Sequence, residues 1–374
     1  MLYLDNSATT RVDPDVVKEM MPYLQEEYGN PSSKFYSLAE NAKHAVKVAR
    51  RRLAVLLNCD EDEVIFTSGA TESNNMVLKG VADQNNGRRH IVTSKVEHPS
   101  VLEVCKYLET KGFCVTYLDV DQFGRVDPDQ LEEIIVQSPP LIVSIIWGNN
   151  ETGSLNNIKE IAEICLKHNV YFHTDATQVL GKIEVDLQTL KGIRFLTMSA
   201  HKIFGPKGIG ACFIRKENKT LKTKITPLLH GGSQENGYRS GTLAVHNIVG
   251  LGKAAELASQ RRKENVKKLK QLEFYLRDIL IETFDDRIEF YSDTKDKIPG
   301  ILSVRFKDIS HNEIFLKKIS PYIALSTGSA CSSGKPSHVL KAMGKSLEEI
   351  QQTVRISMSP LIKKEELEIF RQLI

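Results

Sequence analysis

The sequence predicts an α/β protein: a mainly parallel sheet buried on both faces, followed by a second, smaller α+β domain. Three observations carry this reading. From residue 36 to residue 215, apolar runs of strand length alternate with segments of helical period, the pattern of a sheet covered by helices. Those runs are apolar throughout, as strands buried on both faces require. After Ile301 the style changes, with a strand near Leu302–Phe306 and helices near Ser337–Met343 and Lys364–Leu373. A length of 374 residues leaves room for a large α/β unit and a companion.

Taken in order, Tyr36–Asn58 is expected as a helix, because Leu38, Ala42, Ala45, Ala49, Leu53 and Leu56 recur at helical spacing. Ser37-x-x-Glu40 resembles a capping box at its start. The cluster of Lys47 and Arg50–Arg52 reads as a solvated helix face. Glu63–Thr67 is expected as a short strand, Glu72–Val81 as a helix, His90–Ser94 as a strand and Ser100–Thr110 as a helix. Further strands are expected at Phe113–Leu118, Leu141–Trp147, Tyr171–Thr174, Phe195–Ser199 and Ala211–Arg215, with a helix at Asn157–His168. A long helix, Ile248–Ile281 with a break, completes the series.

Composition excludes several classes. Apolar residues at 41% and charged residues at 26% exclude global disorder. Fifty Lys and Arg against 47 Asp and Glu leave a net charge of +3, too weak a bias for a polyanion binder, so no direct nucleic-acid contact is expected. Met1-Leu2-Tyr3-Leu4-Asp5 has no basic or apolar leader, and the longest apolar run, near Leu141–Trp147, is far short of a membrane span. The six cysteines, at 59, 105, 114, 165, 212 and 331, include no C-x-x-C pair. Neither a zinc site, a redox dithiol nor a disulfide framework is expected, and a reduced, cytoplasmic setting is the default.

Seven stretches stand out chemically. In Ser199-Ala200-His201-Lys202, a strand ends in polar groups and runs into Gly205-Pro206. A lysine at a buried strand end is costly unless it is paired or chemically used. Desolvation there lowers its pKa and suits it to a Schiff base, although a polar turn would look the same. In His173-Thr174-Asp175, the carboxylate lies at the carboxyl end of a strand, where open α/β sheets build their sites. It can pair with a pyridinium nitrogen or simply cap a helix. Asp175 and Lys202 are separated by one βα unit, and together they point to pyridoxal phosphate. Thr67–Asn75 is a strand–turn–helix whose free N–H groups can cradle phosphate or merely start a helix. His98 follows a strand and can stack on a ring, shuttle protons or be structural. Asn150, after a buried strand, can bond a ring oxygen or make an Asx turn. His230–Thr242 reads as a glycine-dense loop.

The seventh stretch, Ser326–Pro336, sets Cys331 among small residues with nothing at helical or strand spacing to bury it, so its thiol is reachable as a nucleophile. Cys59, Cys105, Cys114, Cys165 and Cys212 read as buried or incidental.

These motifs, with Tyr3–Thr10, Gly29–Ser33 and Arg239–Thr242, closely resemble the cysteine desulfurases of the NifS/IscS type, over nearly the whole chain. The resemblance implies the fold-type I architecture of pyridoxal phosphate enzymes, with a large domain built on a mainly parallel seven-stranded sheet. It places that domain at 16–253, and the small domain with the cysteine loop at 1–15 and 254–374. It implies that Lys202 holds pyridoxal 5'-phosphate and that His98 stacks on the ring and moves protons. Asp175 would pair with the ring nitrogen, Asn150 and Gln178 would bond the ring oxygen side, and Ala70, Thr71, Ser199 and His201 would hold the phosphate. Thr242 would reach the cofactor of a partner subunit, which implies a homodimer. Arg355, with Asn150, would bind the substrate L-cysteine. Cys331 would be the nucleophile that takes the sulfur as a persulfide, leaving L-alanine. A sulfur-acceptor protein, either an iron–sulfur scaffold or a thiolation enzyme, is then the implied partner. No protein metal site is expected, although Cys331 could ligate a transferred iron–sulfur cluster. Alternatives within the same fold are a selenocysteine lyase or another class-V aminotransferase-type enzyme. A non-catalytic sulfur carrier would have no use for Lys202, Asp175, His98 and Arg355.

Overall fold

The computed structural model describes residues 1–217, 223–328 and 336–372. The strands are β1 (Leu2–Tyr3), β2 (Val64–Thr67), β3 (His90–Ser94), β4 (Cys114–Leu118), β5 (Ile142–Ser144), β6 (Tyr171–Asp175), β7 (Ile193–Ser199), β8 (Gly210–Ile214), β9 (Ile288–Phe290), β10 (Ile301–Phe306), β11 (Ile323–Ala324) and β12 (Thr353–Ser357). The helices are α1 (Pro14–Met20), α2 (Pro22–Gln25), α3 (Ser37–Leu57), α4 (Ala70–Asp83), α5 (Pro99–Glu109), α6 (Pro128–Gln137), α7 (Ile158–Lys167), α8 (Val245–Phe284), α9 (Asn312–Ile319), α10 (His338–Ala342) and α11 (Leu347–Gln351).

Seven strands form the central sheet in the order β2-β8-β7-β6-β5-β3-β4. The β7–β6–β5–β3–β4 run is parallel, and β8 runs antiparallel to both its neighbours. Each strand is apolar on both sides, because each face has its own core. Val64, Phe66, Val92, Val143, Leu196 and Phe213 pack on one face with α3, α7 and the first part of α8. Their neighbours Ile65, Ile91, Ile142, Phe195 and Cys212 pack on the other face with α4 and α5. Successive residues of a strand point to opposite faces, so two cores demand the continuous apolar runs that the sequence carries.

Beyond the central sheet's core on its two faces, a second core gathers the three-stranded sheet β12-β10-β9, the far end of α8 and the C-terminal segment. The parallel pair β1–β11 lies against it, because Leu4 and Ile323 belong to this core. Helix α8 serves both cores. Leu251, Ala254 and Ala255 face the first, while Leu269, Leu272, Leu276 and Leu280 face the second.

Several expectations need correction. Helix α8 runs unbroken for 40 residues. Its polar stretch around Ser259–Lys268 carries no Gly or Pro and merely crosses from one core to the other. Strand β5 ends at Ser144, three residues early, yet Ile145 and Trp147 still donate to the carbonyls of His173 and Asp175. The capping box at Ser37 is not made: Tyr36 is the N-cap of α3, with no side-chain capping bond. Arg50 and Arg52 are not solvated. Arg50 forms a bidentate pair with Glu235 at 2.6 and 2.8 Å, and Arg52 pairs with Glu19 and Glu256. Lys364–Gln372 is a 3-10 helix rather than an α-helix. Elements absent from the sequence reading are α1, α2, α6, α9, α11, β1, β9, β11 and β12. Helix α6 had a signal, since Asp127 caps it directly before Pro128.

Candidate functional site

The parallel strands end on one rim, and the segments that follow them line a cavity of about 430 Å³. Asp175 closes β6, Lys202 follows β7, His98 follows β3, Asn150 follows β5, and Ala70 and Thr71 follow β2. This is the carboxyl-end crevice in which open α/β sheets bind ligands. Gln178, Ser199, His201 and Arg355 also line it, so ten of the residues singled out in the sequence meet there.

Lys202 projects from a single 3-10 turn after β7. Its Nζ donates to the carbonyls of Ser7 and, at 2.7 Å, of Ala8. The N-terminal segment thus roofs the site. Thr10 is pinned to the His201 carbonyl, and Ser7 N donates to Ser357 Oγ at 2.8 Å. Gln178 donates from Nε2 to the Ser7 carbonyl at 2.9 Å, while its buried Oε1 finds no partner. Buried Thr177 Oγ1 is likewise unpartnered. Buried polar atoms left open on a cavity wall fit a polar guest.

Asp175 is buried. Its two oxygens take the Thr177 amide at 3.0 Å and the Asn74 side-chain amide at 2.9 Å. A carboxylate in such a site suits a protonated ring nitrogen. His98 is the N-cap of α5, with Nδ1 accepting from Ser100 N at 3.1 Å. Burial pushes its pKa down; Asp175 opposes this, and Lys202 and His338 add to it. Burial also pushes His201 down to about 4, with help from Lys202 and Lys207. Both imidazoles are therefore neutral near pH 7.

Helix α4, 14 residues long, opens onto the cavity with no side chain capping its N-cap, Gly69. Ala70 N donates to Ser199 Oγ at 2.8 Å, and the strand beside it is crowded: a Cβ on Gly210 would lie 2.6 Å from Gly69 Cα. An uncapped helix N-terminus with Ser199 and His201 beside it is built to hold an anion such as phosphate.

Arg355, on β12, is only 2% exposed. It bonds Asp5 at 2.7 Å and the carbonyls of Asn150 and Gly328 at 3.1 Å, and its Nε has no partner. A second carboxylate, on the cavity side, would meet a guanidinium already oriented. Pyridoxal phosphate thus fits the residues present: a lysine, an acceptor for a ring nitrogen, an anion cradle and an arginine share one cavity.

Two candidate residues stand apart. Thr242 is exposed and does not line this cavity. Cys331 lies outside the described residues. Among the five cysteines described, Cys105, Cys165 and Cys212 are buried and Cys59 is half-buried, but Cys114 is exposed at the start of β4, so it is not the buried filler expected. Among the described residues, no group of three or more His, Cys, Asp or Glu could hold a metal ion.

Sequence reasoning missed Ser7, Ala8, Asn74, Glu151 and His338. Glu151 lines the cavity, where burial raises its pKa and the Ser337 hydroxyl, His338 and Arg355 oppose the rise. His338 lines the opposite wall, with Nε2 2.9 Å from the Glu97 carbonyl. Asn-Asn-Glu-Thr-Gly after a buried strand was the one signal for Glu151.

The Aminotransferase class-V family model matches residues 2–370. Cysteine desulfurase IscS of Methanosarcina thermophila is 42% identical over 372 residues, covering 98% of this chain and 89% of that protein. A solved NifS-like protein superposes with a TM-score of 0.91 at 37% identity, over 99% of this chain and 97% of that one. The structure described as SspA in complex with cysteine superposes with a TM-score of 0.84 at 35% identity, over 96% of this chain and 99% of that one. On a family match that spans both cores and every wall of the cavity, this chain belongs to the class-V aminotransferases.

Proposed function

We propose that this chain is a pyridoxal phosphate-dependent cysteine desulfurase. It converts L-cysteine to L-alanine and carries the sulfur as a persulfide on Cys331 for delivery to a sulfur-acceptor protein. The observation that carries the reading is the convergence of Lys202, Asp175, His98 and Arg355 on one cavity. Relatives described as cysteine desulfurases, and a neighbour described in complex with cysteine, support it.

The bound cofactor supplies the electron sink that makes the substrate's Cα–H and C–S bonds labile. The chain's residues do the rest. Lys202 anchors the cofactor, and its amine, held close by Ser7 and Ala8, is the group that takes and returns the α-proton. Asp175 would pair with the ring nitrogen. Asn150 and Gln178 would bond the ring oxygen side, and Ala70, Thr71, Ser199 and His201, which line the same cavity, would hold the phosphate. His98 would stack on the ring and take part in proton transfer. Arg355 fixes the substrate carboxylate. The Cys331 thiolate attacks the substrate sulfur: an S–S bond forms, the C–S bond breaks, and the carbon keeps the electron pair and takes a proton as alanine's methyl group. The Cys331 sulfur and the transferred sulfur end as R–S–SH, so atoms and electrons balance.

The active unit is a homodimer. Thr242, exposed and away from its own cavity, would reach the phosphate in the partner subunit. Exposed apolar side chains that a partner would cover include Leu24, Tyr28 and Phe35, the last 99% exposed. The large domain is 16–253, and residues 1–15 with 254–374 form the small domain, as the passage of α8 between the two cores supports. The compartment is cytoplasmic, because a persulfide-forming thiol must stay reduced between turnovers; no described helix is long and apolar enough to cross a membrane.

The test is product analysis. The purified chain loaded with pyridoxal phosphate should turn L-cysteine and a reducing thiol into equal amounts of alanine and sulfide. Retained cofactor with no alanine would sink the reading.

A further inference from the structure

Asp175 and His98 touch different parts of the cavity, on β6 and at the start of α5, yet one side chain joins them. Asn74, fully buried in α4, donates from Nδ2 to Asp175 Oδ2 at 2.9 Å and to Ser100 Oγ at 2.8 Å. Its Oδ1 accepts from the Thr197 hydroxyl at 2.6 Å, and Thr197 is also fully buried. Ser100 Oγ lies 2.8 Å from His98 Nδ1. The chain Thr197–Asn74–Asp175, with its branch Asn74–Ser100–His98, joins β7, α4, β6 and α5; its first four residues are buried and His98 is half-buried at the cavity.

The direction of every bond follows from one observation: both Asp175 oxygens accept, one from the Thr177 amide and the other from the Asn74 side-chain amide. Asp175 therefore draws the Asn74 amide nitrogen toward itself, and the opposite amide orientation would set two oxygens face to face. The second Asn74 N–H then goes to Ser100 Oγ. With its oxygen accepting, the Ser100 hydroxyl proton turns to His98 Nδ1. The Ser100 backbone N–H points at the same atom from 3.1 Å. Nδ1 is thus an acceptor twice over, and neutral His98 must carry its proton on Nε2, the ring edge left for the cavity.

We propose that Asn74 is a positioning residue of the reaction: it passes the acceptor role of Asp175 through Ser100 and holds His98 as its Nε2–H tautomer. The proposal rests on the desulfurase reading only for what that tautomer is used for. An Nε2–H donor cannot begin the cycle as a base toward the cavity. It serves as a hydrogen-bond donor toward the cavity, and the initial α-proton falls to Lys202. The depressed pKa of His98 is in keeping with this, since a doubly protonated ring would have no acceptor at Nδ1. The charged and titratable groups that act on the ring are Asp175, Lys202 and His338.

The experiment is two-bond ¹H–¹⁵N correlation of histidine side chains in the full chain, before and after loading with pyridoxal phosphate, with His98 assigned through His98→Gln. The wild-type spectrum should show an unprotonated Nδ1 and a protonated Nε2 in both states. A protonated Nδ1 in either state overturns the proposal, whatever the enzyme's products are. Asn74→Leu has nearly the same shape but offers no donor to Asp175 or Ser100. It should shift His98 toward the Nδ1–H form and lower kcat about 10- to 100-fold with little change in KM, the range usual for groups that orient a functional histidine. An unchanged tautomer and kcat in that variant would overturn the proposal. Where it fails to fold, Thr197→Val, which frees Asn74 Oδ1 without touching Asp175, should give a mixed His98 signal; a single wild-type signal there would count against the chain. Cysteine-to-alanine conversion by the wild type is read separately, so failure of the desulfurase reading and failure of the tautomer are distinguishable.

Discussion

At the scale of the residue, burial and charge decide what each thiol and imidazole can do. Burial pushes the thiols of Cys105 and Cys165 up to about 12, and raises those of Cys59 and Cys212 as well, so all four stay protonated and slow to react near neutral pH. Cys114 is the exposed thiol among those described. In Cys331→Ala, brief alkylation at pH 7.5 followed by peptide mass spectrometry should therefore find Cys114 as the main labelled site. The same variant should keep the cofactor's visible absorbance and lose sulfide release. Full sulfide release would move the nucleophile elsewhere. Lys202→Ala is expected to lose covalent retention of the cofactor. After borohydride treatment and denaturation, mass spectrometry should find the added mass on wild type and not on the variant. A third expectation concerns pH. Burial pushes His173 down to about 4 from 6.5. Above pH 6.5 neither the folded nor the unfolded chain holds the extra proton. Between 6.5 and 4 only the unfolded chain takes it, so stability falls as pH drops through that window. For one proton the slope is about 1.4 kcal/mol per pH unit. Urea midpoints at pH 6.5 and 5 should fall less in His173→Gln than in wild type. Residues of this kind were unequally legible in sequence. Lys202, Asp175 and His98 announce themselves because each follows an apolar run that ends a strand. Asn74 and Ser7 do not, since a small polar residue near a helix start or chain start looks the same whether its partner is water or a residue more than 100 positions away.

Among the elements, α3 and α8 show how closely packing is tuned. Gly252 sits where α8 meets α3, and a Cβ there would lie 2.5 Å from Ala49 Cα and 2.6 Å from Ala49 Cβ. No side chain can move aside to relieve that contact. Gly252→Val should destabilise by about 1–3 kcal/mol, the usual cost of overpacking, read as a lower urea midpoint. A midpoint within error of wild type would show that the helices part without penalty. All seven strands of the central sheet were legible because two-sided burial writes continuous apolar runs. The break expected in α8 was not, because a polar stretch reads as an interruption when its flanks face two different cores. Helix α9 and strand β9 escaped notice for a related reason. Each is short, and Phe315 and Ile288 gain their meaning only from the second core, which is assembled from distant segments.

For the whole molecule, Leu24, Tyr28 and Phe35 are among the large apolar side chains that the single chain leaves exposed. Phe35 also holds a positive φ of 76°, a conformation costly for an aromatic residue unless its surroundings support it. The proposed homodimer would bury these side chains. Phe35→Glu should shift the chain from dimer to monomer by light scattering and weaken cofactor retention together with activity, because Thr242 would no longer reach the partner. A dimer that survives both Phe35→Glu and Leu24→Glu would place the interface elsewhere.

The roof over Lys202 has a consequence for synthesis in the cell. Ser7 holds the lysine through its carbonyl and is itself held by Ser357, 350 residues further along. A ribosome releases the first of these residues long before it has made the second. Every group proposed as catalytic from His98 to Lys202 can be in place on the nascent chain while the cavity still lacks its cover and its arginine. Tight capture of the cofactor should therefore wait for the final strand to emerge, which keeps a reactive aldehyde from being locked into an unfinished enzyme.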